Sequence, residues 1–162
     1  MTTLIIIRGN SGSGKTTLAK QLRRRFTNSL LISQDVIRRE ILQVDDHAGN
    51  LSINLMNTLL EFGRLNVDVV IIEGILRRDV YAEMLVHQAA LFHNVIPIYY
   101  NLSLSETLNR HKTKSAIDFT DKDVKRWYRA NDYLGIEDEI IFDHTVTVEM
   151  SIYDIIEHMN KF

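Results

Sequence analysis

Apolar residues along the chain follow two rhythms. The continuous runs Leu4 to Ile7, Leu30 to Ile32, Val69 to Ile72 and Val95 to Tyr100 have the pattern of short strands buried on both faces of a parallel sheet. Between them, apolar residues recur three and four apart, the spacing of a helix with one buried stripe: Leu18, Leu22 and Phe26; Leu51, Leu55, Leu59 and Phe62, widened by Met56 and Leu60; Val80, Met84, Leu85, Ala89 and Phe92; Ile152, Ile155, Ile156 and Met159. A second strand is expected over Ser29 to Ser33. A fifth is expected within Ile140 to Val148, centred on Thr145 to Val148. Pro97 inside the fourth run requires a strand position near an edge or a bulge. Strands alternating with helices predict an α/β three-layer sandwich with a five-stranded, mainly parallel sheet.

Polar residues mark the ends of these elements. Asp79 is expected to cap the helix after the third strand and Ser151 the final one, while Ser103 to Glu106 and Thr120 to Asp123 read as capping boxes. Asp45 to Asn50 is a polar loop, and Val36 to Leu42 opens a helix after the second strand. The run Arg23 to Arg25 reads as a solvated face at a helix C-terminus, where positive charge suits the macrodipole. No repeat, low-complexity stretch or linker divides residues 1–162, so a single domain is expected.

The first junction carries the chemistry. Gly9-Asn10-Ser11-Gly12-Ser13-Gly14-Lys15-Thr16 fits G-x-x-x-x-G-K-[ST] and lies between a strand and a helical pattern that begins at Thr16, followed by Thr17. Glycines there let successive amide N–H groups turn toward a phosphate, and the helix N-terminus adds its positive dipole end. Lys15 would reach the β- and γ-phosphates and Thr16 would hold Mg²⁺. Three further groups belong to the same sheet edge, the one where open α/β sheets place ligands. Glu73 ends the third strand in a Walker B position, to hold Mg²⁺ through water or to orient the acceptor. Asp35 follows the second strand as a general base, or as the cap of the next helix. Arg38 or Arg39 would bind the acceptor or its anionic group. After the fourth strand, residues from about 110 to 131 form two helices flanking a basic loop that also carries Asp118, a lid in which Arg110, Lys114, Arg126 and Arg129 compete for contact with phosphates. This set predicts phosphoryl transfer from ATP with Mg²⁺, catalysed by Lys15, Asp35 and Arg110.

Composition narrows the partner. The chain has a formal net charge of −2 and a pI near 6.3, so nucleic acid is disfavoured and a small acceptor favoured. The absence of cysteine excludes disulfides and thiolate zinc. Met1-Thr2-Thr3 leads directly into the first strand without a signal segment, and no apolar run approaches a bilayer's thickness, so a cytoplasmic protein is expected. Oligomeric state is not legible.

The P-loop, Ile32 to Arg39, Ile72-Glu73-Gly74, and Thr107 to His111 with Arg126 to Arg129 together resemble the small P-loop kinases of the chloramphenicol phosphotransferase, zeta-toxin and gluconate kinase group. The resemblance covers nearly the whole chain. It implies the strand order 2-3-1-4-5, ATP, Mg²⁺ and an Asp35 base, and leaves the acceptor open among antibiotic, nucleoside, sugar and nucleotide sugar. A GTPase is disfavoured because Asn101-Leu102-Ser103-Leu104 stands where a guanine motif would lie. The alternatives are a regulatory ATPase without transfer and a polynucleotide 5′-hydroxyl kinase.

Overall fold

The Leu4 to Ile7 run lies at the centre of the sheet and is completely buried. The computed structural model describes residues 1–113 and 120–161; Lys114 and Asp118 of the expected lid lie outside them. The elements are β1 (Thr3–Gly9), α1 (Lys15–Arg23), β2 (Ser29–Ser33), a π-helical turn (Val36–Ile41), α2 (Leu51–Asn66), β3 (Val69–Gly74), α3 (Arg78–Ala89), β4 (Asn94–Tyr100), α4 (Leu104–Lys112), α5 (Asp121–Trp127), β5 (Ile140–Phe142) and α6 (Val148–Met159). The five strands pair in the order β2-β3-β1-β4-β5, every pair parallel.

Alternation along β1 builds the three layers. Leu4 and Ile6 face one side with Ile32, Val70 and Ile72, covered by Met56 and Leu60 of α2 and Tyr81, Met84 and Leu85 of α3. Ile5 and Ile7 face the other with Ile71, Ile96 and Ile98, covered by Leu18 and Leu22 of α1 and Ile152 and Ile155 of α6. A strand with both faces covered must be apolar at every position, which is why its sequence runs without alternation. Pro97 fits because β5 pairs only with Ile98 to Tyr100; at Pro97, β4 meets β1 on one side and no strand on the other.

Several local features differ from the sequence reading. The fifth strand is Ile140–Phe142, and Thr145 to Thr147 instead form the approach to α6, whose cap is Thr147, accepting from the Met150 N–H at 3.2 Å. Ser151 lies inside that helix; its hydroxyl donates to the Thr147 carbonyl and meets the Tyr100 hydroxyl. Asp79 sits in the first turn of α3 and accepts from Arg77 instead of capping. Ser103 caps α4, but the Glu106 carboxylate that would complete the box takes Arg110 Nε at 2.8 Å. Thr120 and Asp123 do form a complete capping box. The buried line of α2 is Met56, Leu60 and Gly63, while Leu51 and Phe62 at the margins of the expected stripe are more than half exposed. Phe26 lies beyond the end of α1 but still packs in its cluster, and Tyr128 and Arg129 lie beyond α5. The segment after β2 is wound as a π-helix, with the Leu42 N–H donating to the Ile37 carbonyl.

Candidate active site

The β1–α1 loop is the floor of the site. Gly12 has φ +80, and a Cβ there would stand 3.3 Å from the Thr107 carbonyl oxygen of α4, so backbone sign and close approach both call for glycine. α1 starts at Lys15 with Gly14 as its cap residue, without a side-chain cap and without an acidic residue in its first turn. Its first amides and dipole therefore face the loop uncompensated by any carboxylate of that turn, the donor set an anion requires. Lys15 is buried, and its ammonium donates to the Asn10 carbonyl at 2.7 Å and to Ser13 Oγ at 3.0 Å. Thr16 and Thr17 are exposed on the first turn.

Glu73 joins this loop to the neighbouring strands. Its carboxylate is buried at the end of β3, accepting from the Thr16 hydroxyl at 3.1 Å and from the Ser33 hydroxyl of β2 at 2.5 Å. One hydroxyl and one carboxylate side by side are hard oxygen donors of the type Mg²⁺ takes, so the residues fit that ion.

Beyond the ends of β2 and β3 opens a cavity of about 360 Å³ whose lining includes Gln34, Asp35, Arg38, Arg39, Arg126 and Trp127. Asp35 occupies the N-cap position of the π-helical turn but makes no side-chain cap hydrogen bond; its carboxylate is 61% exposed and stands 3.6 Å from both Arg38 and Arg39. Arg38 also donates to the Val44 carbonyl, which fixes the loop that follows the π-helical turn. Asp45, Asp46 and Arg77 border the same cavity, Asp46 accepting from the Tyr81 hydroxyl. Burial is the main reason the Tyr81 hydroxyl titrates above its ordinary value. A larger cavity, about 510 Å³, lies at the amino-terminal edge of the sheet beside Asn94 and His158 and contains none of these groups.

The three basic candidates among the described residues separate in space. Arg110 reaches the loop, donating to the Ser13 carbonyl at 3.1 Å, to Glu106 and to the His144 carbonyl. Arg126 lies over the Trp127 ring at 5.6 Å on the cavity side and donates to Asp123. The Arg129 guanidinium donates to the carbonyls of Arg126 and Tyr128, so it is its backbone that meets the loop, at Asn10.

Sequence reasoning missed Arg8. It is fully buried at the end of β1, donating through Nε to the Leu76 carbonyl at 3.0 Å and through Nη2 to Asp132 at 2.9 Å, with Glu139 at 3.5 Å and the Tyr99 ring at 5.5 Å. Burial pulls its guanidinium below the ordinary value, and the carboxylates of Asp132 and Glu139 oppose that pull. The available signal was an arginine ending an apolar strand, which must find carboxylates elsewhere.

Solved structures with this fold include the tunicamycin resistance protein of Deinococcus radiodurans (17% identity, 98% of this chain and 96% of that one, TM-score 0.66). The Mycobacterium tuberculosis APS kinase in complex with AMPPNP and APS is similar at 12% identity over 98% of both chains, TM-score 0.70. A Sinorhizobium meliloti gluconokinase is similar at 14% identity over 98% and 92%, TM-score 0.67. At these identities the likeness is one of fold. No curated protein matches the sequence significantly. Among the described residues no helix is long and apolar enough to cross a membrane. The model of the AAA_33 family, described as an AAA domain, matches residues 4–135, and with the P-loop, the 2-3-1-4-5 sheet and Glu73 in place the chain belongs to that family.

Proposed function

We propose that the protein is an ATP- and Mg²⁺-dependent kinase that transfers the γ-phosphoryl group to a hydroxyl of a small-molecule acceptor. The observation that carries this reading is the Asp35 carboxylate, exposed on the wall of a cavity beyond the end of β2, two residues after Ser33, whose hydroxyl donates to the loop's carboxylate partner Glu73. A nucleotide switch has no use for a base facing a second cavity. ATP with Mg²⁺ supplies the γ-phosphoryl group and offsets charge on the phosphate oxygens.

The chain's residues do the remaining work. Gly12 to Thr16 present amides to the phosphates, and Lys15, held by the Asn10 carbonyl, turns another of its three ammonium donors to a phosphate oxygen. Thr16 and Glu73 hold the metal, directly or through water. Asp35 takes the acceptor's hydroxyl proton as the acceptor oxygen bonds to the γ-phosphorus and the bond to the ADP oxygen breaks. Arg38, Arg39 and Arg126 orient the acceptor, and their positive charge suits an anionic group on it. Arg110 braces the loop from α4. Support also comes from the APS kinase, whose structure with AMPPNP and APS has this fold.

The test is incubation with γ-labelled ATP and separate pools of sugars, sugar acids, nucleosides, antibiotics and 5′-hydroxyl oligonucleotides. Labelled product from one small-molecule pool is expected. Label released only as inorganic phosphate from every pool would overturn transfer, and labelled oligonucleotide alone would replace the acceptor class.

A further inference from the structure

The phosphate loop is anchored to the segment after α5 by a reciprocal pair. The Asn10 side-chain amide donates to the Arg129 carbonyl at 2.7 Å, and its carbonyl oxygen accepts from the Arg129 N–H at 2.8 Å. The same residue's backbone carbonyl accepts from the Lys15 ammonium at 2.7 Å. Asn10 is therefore a link between Arg129 and Lys15, through its side chain on one side and its main chain on the other.

The Arg129 end of this link is held by the sheet. Three residues on, the Asp132 carboxylate accepts from Arg8 of β1 at 2.9 Å and from the first N–H of α3, while the Asp132 N–H donates to the Tyr99 hydroxyl of β4. Tyr99 Oη also lies 3.4 Å from the Arg129 carbonyl. Two strand ends thus fix the segment from Arg129 to Asp132. A loop with glycines at 9, 12 and 14 has little conformational preference of its own and benefits from such an outside anchor.

We propose that Asn10 is a positioning residue, which transmits the fixed backbone of Arg129 to the Lys15 ammonium and so sets where that ammonium meets nucleotide phosphates. This rests on the nucleotide-binding half of the proposed function and is separate from transfer. The side chain at this loop position is unconstrained by the glycine-lysine pattern, so its selection here is explained by Arg129.

Affinities for ATP-Mg²⁺ and AMP test it, measured by calorimetry on wild type, Asn10→Ala, Lys15→Ala and the double variant. The segment stays held through Asp132 by Arg8 and Tyr99, so Asn10→Ala should keep the fold. If it does not, Asn10→Gln, which keeps both polar groups displaced by one methylene, replaces it. The expected result is about tenfold weaker ATP binding, from two lost hydrogen bonds, with AMP binding changed less than about twofold. In the Lys15→Ala background the Asn10 substitution should add nothing. Equal losses for ATP and AMP, additive losses in the double variant, or no loss would each overturn the role. Wild-type protein that binds no ATP would overturn this and the kinase reading together. Binding with the expected coupling, but no phosphoryl transfer, would refute the kinase reading alone and support Asn10's role.

Discussion

The Thr16 hydroxyl donates to the Glu73 carboxylate across 3.1 Å, so the first turn of α1 and the end of β3 meet at one pair of oxygen atoms. Ser33 fixes the other carboxylate oxygen, which leaves Glu73 a single orientation between the loop and the second strand. Glu73→Gln should therefore lower phosphoryl transfer by about a hundredfold or more while nucleotide affinity without metal stays near wild type. Titrating Mg²⁺ against rate for both proteins checks it, and an unchanged Mg²⁺ dependence would remove Glu73 from the metal site.

Arg8 should be the most costly single position in the sheet. Replacing it with methionine keeps the bulk but leaves Asp132 and Glu139, whose side chains are only 19% and 8% exposed, with backbone N–H partners and without the guanidinium. Breaking a buried ion pair on one side costs about 3–5 kcal/mol, a large share of a domain's stability. The urea midpoint should fall with the slope unchanged, and a midpoint equal to wild type would contradict the assignment.

Gly63 presents opposing effects whose balance has a definite sign. Alanine in the last turn of α2 gains up to about 1 kcal/mol of helix propensity. Its Cβ, however, would lie 2.5 Å from Val70 Cγ2 and 3.0 Å from Leu30 Cδ2 in a fully packed face. Overpacking of that kind costs about 1–3 kcal/mol, so Gly63→Ala should destabilise on balance. Thermal unfolding decides it; a higher midpoint would mean that the Val70 and Leu30 side chains give way easily.

The fold was legible because its strongest signals are local. Short continuous apolar runs rich in β-branched residues, such as Leu4 to Ile7 and Val69 to Ile72, fit doubly covered strands better than helices, and the loop from Gly9 to Thr16 has a pattern that few other structures require. The errors fall where two local solutions compete. Thr147 and Ser151 are both competent caps, and the choice between them is made by Ile152 and Ile155 docking on the sheet. The threonine-valine alternation at 145–148 reads as a strand, yet Ile140–Phe142 is the segment that β4 can pair. The positions of Lys15, Thr16, Glu73 and Asp35 along the carboxyl ends of the strands were readable from their places in the sequence. Arg8 and Asp132 were not, nor was the bond from Asn10 to Arg129, because the partners lie more than a hundred residues away in sequence.

The capping box at α5 gives a pH test. The Thr120 N–H and hydroxyl, both donating to the Asp123 carboxylate, hold it below the usual carboxylate range. A lowered folded-state value means the carboxylate's contribution is complete above the unfolded value of about 4 and is lost as pH falls through the lower one. The stability difference between wild type and Asp123→Asn should therefore shrink as pH drops below about 4. A difference that stays constant with pH would show that the charged form is not what the cap selects.

Asp35 carries the central claim, since it alone distinguishes transfer to an acceptor from nucleotide binding. Its removal as Asp35→Asn keeps size and polarity but abolishes the base. The decisive measurement is the rate of labelled product formation by this variant on the acceptor found with wild type, alongside its ATP affinity. The rate should fall by about 10²–10⁴-fold with ATP affinity within about twofold of wild type. A wild-type rate would contradict it.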